Sequence, residues 1–132
     1  MRLRRLDLTR YGHFADARLD FGEKPASGHD LTIVYGLNEA GKSTAFAAFL
    51  DLLFRIERLT PYGWLHGAER MEVGAALEFD GATHEVRRVR GAAGSLLDTA
   101  GRPLAEAFLG GPLAGLTRET CRAMFSLDDA SL

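Results

Sequence analysis

Eight consecutive residues constrain this chain more than anything else in it. Gly36-Leu37-Asn38-Glu39-Ala40-Gly41-Lys42-Ser43 fits G-x-x-x-x-G-K-[ST] at every fixed position. Such a string has meaning only between a strand and a helix. Before it, Leu31–Tyr35 is a short apolar, partly β-branched run bounded by turn residues, which predicts a buried strand. After it, Phe46, Phe49, Leu50 and Leu53 fall at i, i+3, i+4 and i+7, predicting a helix from Lys42 to about Ile56. Asp51 is the one charged residue between Ser43 and Arg55. A helix so apolar is expected inside a layered domain, covered on more than one side.

A strand–loop–helix unit of this composition suits a phosphate chain. Gly36 is expected to leave the strand in a conformation other residues avoid. Gly41 is expected to let backbone approach the phosphates with no Cβ in the way. The turn aims successive N–H groups at one point, where the helix N-terminus adds partial positive charge. The expected nucleotide-binding set is therefore Gly36, Asn38, Glu39, Ala40, Gly41, Lys42, Ser43 and Thr44. Fourteen of the sixteen basic residues are Arg, and Lys24 and Lys42 are the only lysines. A compact ammonium fits between β- and γ-phosphates where a planar guanidinium fork fits less well, which gives Lys42 a catalytic reason to be Lys. The Ser43 hydroxyl is offered to Mg²⁺, and Thr44 adds a hydrogen bond to phosphate. ATP and Mg²⁺ are the expected cofactors.

Elsewhere the chain reads mostly as strands. Residues 3–10 form one and Ala17–Phe21 a second, with Tyr11-Gly12-His13 as punctuation. Met71, Val73, Ala75, Leu77 and Phe79 alternate with Glu72, Gly74, Ala76 and Glu78. The run ends at Asp80-Gly81, a tight-hairpin signal, and a return strand follows to about Arg90. A short strand is expected at Ser95–Asp98. Helices are expected at about Leu104–Leu109 and Thr117–Phe125, with Thr117 as N-cap and Gly110-Gly111 as a stop between them. The expected fold is α/β, one domain over 1–132: a mixed sheet around the Lys42–Ile56 helix, with an antiparallel hairpin region beside it.

Composition excludes several function classes. Net charge is −2, so the chain is no polycation drawn to nucleic acid as a whole. No apolar run approaches the roughly 20 residues that span a bilayer, and no apolar stretch follows the basic N-terminus to make a secretory signal. Cys121 stands alone, which favours a reducing, cytoplasmic setting, and its spacing with Phe125 makes it a buried structural thiol. His13, His66 and His84 are too scattered for a metal site. Arg87-Arg88-Val89-Arg90 reads either as a DNA-facing strand or as a solvated face. Trp64 reads either as a base-stacking ring or as a loop anchor.

Asn38–Thr44, taken with the opening Leu3-Arg4-Arg5-Leu6-Asp7-Leu8, Tyr11-Gly12-His13-Phe14, Leu65-His66 and Met124-Phe125-Ser126-Leu127-Asp128, resembles the N-terminus of YhaN-like ATPases. These belong with the SMC, RecF and SbcC group, whose ABC-type heads are split by a long coiled coil. The resemblance covers essentially the whole chain and implies the N-terminal lobe of a P-loop NTPase head. It places Tyr11–Phe14 beside the base, so Tyr11 joins the expected nucleotide set. It sets Asp128 where relatives carry a Gln that touches Mg²⁺ and the attacking water; read from the residues alone, Asp128-Asp129 is equally a solvated acidic pair ending a helix.

The resemblance also implies what the site still requires. Hydrolysis in this group needs an acidic pair after a later strand (Walker B) and a signature loop from a second head, and neither is found in these 132 residues. The expectation is an ATP-binding N-terminal fragment, inactive or very slow alone, whose ATPase activity belongs to the full-length protein. Its partners would be a C-terminal half, a second head in an ATP-sandwiched dimer, and possible DNA, in repair or chromosome maintenance. A non-catalytic module that docks to a partner chain is the competing expectation, and a small kinase or GTPase is disfavoured by the meander of strands.

Overall fold

Ten residues at the start of the chain form the spine of a sheet. A computed structural model describes residues 1–37 and 39–125. Strand β1 (Arg2–Tyr11) pairs on one side with β2 (Phe14–Asp20) and on the other with β3 (Glu72–Phe79). Strand β4 (Ala82–Val89) and the two-residue β5 (Leu96–Leu97) complete the order β2-β1-β3-β4-β5. Every pairing is antiparallel. The β3–β4 connection is the two-residue turn Asp80-Gly81, both residues at positive φ as such a turn demands.

Side-chain alternation decides which face is core. Leu6 and Leu8 of β1, Val73, Ala75 and Leu77 of β3, and Val86 of β4 point to one face and are buried there. Helix α1 (Lys42–Phe54) lies across that face through Ala45, Ala48, Leu52 and Leu53. Helix α2 (Ala107–Leu113) adds Leu109 and Leu113 at the β4–β5 end. On the opposite face the small residues Gly74 and Ala76 lie under ion pairs: Arg5 to Asp7 at 3.0 Å, Arg5 to Glu85 at 2.7 Å, and Arg18 to Asp7 at 2.7 Å. The long arginine stems cover that face while their charged ends remain paired.

The largest departure from the sequence expectation precedes the glycine loop. Leu31–Tyr35 is not a strand, and the sheet is antiparallel rather than mixed. Leu31 is 84% exposed, Ile33 72%, Tyr35 90% and Leu37 86%. Composition reports that a segment can pair, not that a neighbour is there, and no described strand lies beside this one. Helix α1 is nevertheless enclosed on more than one side, since Leu50, Asp51, Leu52 and Leu53 are all buried. Its Phe46 and Phe49 side lines an open groove of about 260 Å³ with Leu3, Leu19, Phe21 and Val34.

The first of the later helices also shifts. The expected stop at Gly110-Gly111 lies inside α2, which continues through Pro112 to Leu113 and ends on the left-handed Ala114. Buried Leu109 and Leu113, one turn apart, outweigh the local breakers. Helix α3 (Arg118–Phe125) begins after Thr117, whose Oγ1 accepts the Thr120 N–H at 3.1 Å. Among the described residues, no helix is long and apolar enough to cross a membrane.

Candidate functional site

The glycine loop joins the exposed 31–37 segment to α1, and its shape is set by one side chain and one hairpin. Lys42 Nζ donates to the carbonyl of Gly36 and, at 3.3 Å, to that of Leu37, so the ammonium bridges the loop from helix to entry. Ala40 N–H bonds back to Leu37 O at 3.1 Å, and Ala45 N–H to Gly41 O at 2.8 Å starts the helix. Glu39 takes φ 69° and Gly41 φ 104°. Successive N–H groups in such left-handed turns form the concavity that anions enter. Gly41 is the N-cap, with no side-chain cap on the first turn of α1 and no acidic residue there. The N–H groups of that turn therefore have no side-chain acceptor.

Gly36 acts differently from expectation, and Gly41 has a packing reason beyond the expected one. Gly36 does not lie in the left-handed region; its constraint is space, since a Cβ there would sit 3.2 Å from Ala40 Cβ. Gly41 is hemmed in by the β1–β2 turn: a Cβ would fall 2.5 Å from Phe14 Cζ and 2.7 Å from His13 Cε1. The His13 and Phe14 rings, 4.1 Å apart, thus rest on the backbone where loop becomes helix. Gly12, next to them, approaches Thr44 so closely that a Cβ would lie 2.7 Å from Thr44 Cγ2.

Tyr11 is placed elsewhere. Its ring has no exposure, stacks on Tyr62 at 5.1 Å, and its hydroxyl donates to Asp51 Oδ2 at 2.5 Å. Burial, with the Asp51 charge beside it, pushes the phenol up from its ordinary value. A ring packed on all sides offers no face to a base, so Tyr11 holds the hairpin rather than a nucleotide. Lys42 and Ser43 are exposed at the start of α1 and Thr44 is half-buried. Asn38 and Asp128 lie outside the described residues.

Three supporting groups escape a reading of the motif. His66 Nε2 lies 2.8 Å from Phe14 O, and Tyr62 O accepts the Gly12 N–H at 2.9 Å, so the loop after α1 fastens the hairpin turn. Asp51, 4% exposed, accepts from Tyr11 on one oxygen and from Arg118 Nη1 at 2.7 Å on the other. Burial raises the Asp51 carboxyl above its ordinary value, against the opposing pull of Tyr11 and Arg118. The sequence signal was present, because Asp51 is the single acidic residue in an apolar helix, but its partners are 40 and 67 residues away.

Of the three arginines at 87, 88 and 90, Arg88 belongs to neither a DNA-facing strand nor a solvated face, because it is buried. Arg88 has no exposure; its guanidinium binds Leu52 O at 2.9 Å, Ser95 Oγ at 3.1 Å and Glu106 at 2.6 Å. Arg87 pairs with Glu72 at 3.2 Å, and Arg90 with Glu69 and the Arg58 carbonyl. Trp64 is 70% exposed and so is not a buried loop anchor. Cys121 is buried, and burial raises its thiol above the ordinary value. Among the described residues no group of three His, Cys, Asp or Glu side chains is arranged to hold a metal.

No curated protein matches the chain. The family model described as an AAA domain matches residues 1–132, from first to last. That family is one of nucleotide-binding, ATPase-like domains, and nucleotide use with Mg²⁺ is what it implies. The chain belongs to the AAA domain family.

Proposed function

We propose that residues 36–44 bind Mg-ATP and that the chain forms the N-terminal part of a YhaN-like ATPase head of the SMC, RecF and SbcC group. The observation that carries the reading is the bridge from Lys42 to the Gly36 and Leu37 carbonyls above an uncapped helix N-terminus. The ammonium is held at the concavity, and β- and γ-phosphate oxygens are stronger acceptors for it than neutral carbonyls. Ser43, exposed on the first turn, would hold Mg²⁺, which keeps most of its ligands as water and phosphate oxygen. The metal would draw charge from the phosphates, while Lys42 stabilises charge developing on the γ-phosphoryl oxygens. His13 and Phe14, rather than Tyr11, take the base side.

The partners are part of the same reading. A C-terminal half carrying the Walker B carboxylates would pair with the exposed 31–37 segment and fill the groove beside Phe46 and Phe49, and a second head would close over the nucleotide. A role in DNA repair or chromosome maintenance follows from the group, with DNA contact assigned away from β4, whose arginines hold internal partners. The exposed run at Leu31, Ile33, Tyr35 and Leu37 also favours a second reading, a module that docks to a partner without chemistry.

Titration calorimetry of Mg-ATP into this chain and into Lys42→Ala separates the two. Binding by the intact chain that Lys42→Ala abolishes supports a phosphate site. No heat with the intact chain defeats the nucleotide reading and leaves docking. Binding that Lys42→Ala leaves unchanged would put the nucleotide elsewhere.

A further inference from the structure

Asp51 is a buried ionisable group for which binding of phosphate has no use, and its contacts lead to the phosphate loop. It stands nine residues beyond Lys42 on the same helix, about 13 Å along the axis. Its two oxygens have different clients: Oδ2 takes the Tyr11 hydroxyl at 2.5 Å, and Oδ1 takes Arg118 Nη1 at 2.7 Å. Tyr11 is the last residue of β1, and the three residues after it are those pressed against Thr44 and Gly41. Arg118 is the first residue of α3 and also donates to Arg55 O. One carboxylate therefore ties three elements that nothing in the sequence places together.

We propose that Asp51 is a positioning residue through which the placement of α3 sets the nucleotide affinity of the 36–44 loop. The proposal rests on the nucleotide reading above and adds a control point to it. With Arg118 in place the carboxylate has a counter-charge and accepts from Tyr11, which draws the end of β1 onto α1. The Gly12–Phe14 turn is then held on Gly41 and Thr44, keeping the loop in its binding shape. When α3 withdraws Arg118, a carboxylate with 4% exposure loses its cation, and burial favours the protonated form. A neutral carboxyl is a weaker acceptor for Tyr11 than a carboxylate. The turn loosens, and phosphate must then reorder the loop as it binds. Groups facing Asp51 are Tyr11 from β1, Arg118 from α3 and Glu57 from the segment after α1, with Tyr62 behind Tyr11.

The test compares the whole chain with Arg118→Gln, Arg118→Lys and Asp51→Asn. Mg-ATP affinity is measured by calorimetry between pH 6 and 8, and backbone hydrogen exchange of residues 36–46 is measured without nucleotide. Arg118→Gln should weaken binding about tenfold, within the usual range of coupling between sites, and the loss should deepen as pH falls. Arg118→Lys should restore most of the affinity. Asp51→Asn should bind as weakly as Arg118→Gln at its lowest pH, with no pH dependence of that defect. Exchange in the loop should quicken in Arg118→Gln even if thermal stability drops only slightly. Unaltered loop exchange in a folded Arg118→Gln protein overturns the proposal, as does affinity equal to that of the intact chain. An intact chain that binds no Mg-ATP, but whose loop exchange responds to Arg118, defeats the nucleotide reading and leaves the positioning role standing.

Discussion

Arg88 and Glu106 meet fork to fork, Nη1 to Oε1 at 2.6 Å and Nη2 to Oε2 at 3.1 Å, with the guanidinium wholly buried and the carboxylate 39% exposed. The same guanidinium closes the end of α1 through the Leu52 and Leu53 carbonyls. The asymmetry of exposure makes the two partners unequal. Removing Glu106 strands a buried cation, whereas removing Arg88 leaves a carboxylate that water can reach. Glu106→Ala should cost about 3 kcal/mol of unfolding free energy. Adding Arg88→Met to it should recover part of that loss, because the unpaired buried charge goes with it. Urea denaturation of the two single variants and the double variant checks this; simple additivity would refute the stranded-charge account.

Acid should act through the same pair. Burial tends to raise the Glu106 carboxyl, but its hydrogen bonds to Arg88 and the nearby Arg55 charge prevail and hold it below its ordinary 4.5. A carboxyl lowered on folding contributes stability that is fully present above the unfolded value and disappears as pH falls through the folded one. The intact chain should therefore lose stability steadily below about pH 4.5. Glu106→Gln should start less stable at neutral pH and show a shallower decline in that window. Asp51 has the opposite sign: its raised carboxyl makes stability fall as pH climbs above 3.8. Asp51→Asn should remove that component, and melting temperatures across pH 3–7 would reveal both slopes.

Gly41→Ala should disable the loop for two independent reasons. Its φ of 104° is foreign to residues with a side chain, and the new methyl would meet Phe14 Cζ at 2.5 Å. The combined strain is on the order of 1–3 kcal/mol. It should appear as loss of Mg-ATP binding together with a lowered melting temperature. Adding Phe14→Ala should return some of the melting temperature by clearing the methyl's path. Unimpaired binding by Gly41→Ala would show that the His13–Phe14 turn does not shape the loop.

The bare 31–37 segment should make the isolated chain associate. Leu31, Ile33, Tyr35 and Leu37 together expose apolar surface of the kind that edges and grooves use for pairing. Sedimentation velocity over a concentration series should show reversible association, and an apolar-sensing dye should bind. Ile33→Ser with Tyr35→Ser should weaken both while leaving the melting temperature within a few degrees. A monomer at all concentrations with no dye signal would argue against any docking role for this segment.

Local signals carried most of the strands well, and contacts distant in sequence carried what they missed. The alternation around Val73 and the Asp80-Gly81 turn mark β3 and β4, because period and turn chemistry are properties of neighbouring residues. Leu31–Tyr35 shows the limit: five residues can advertise strand propensity, yet the ladder needs a second strand. Arg88 shows another limit, since an arginine in a basic cluster looks like surface until Glu106, Ser95 and two helix carbonyls are brought around it. Tyr11 was legible only as part of a turn; a register shift in β1 between Asp7 and Arg10 brings its ring to the face of Leu6 and Leu8, where Asp51 accepts its hydroxyl.

The carbonyls at the end of α1 depend on donors that lie far along the chain. Those of Leu52 and Leu53 wait for Arg88, and that of Arg55 waits for Arg118, 63 residues later. During synthesis the whole glycine loop is made before either donor exists. The helix that would present the loop is then apolar, uncapped at its far end and without most of its sheet, a state prone to rearrangement and to wrong partners. On the nucleotide reading, competence for phosphate would be acquired late, when β4 and then α3 arrive, and a chain interrupted before Arg118 would carry the motif intact without the means to hold it still.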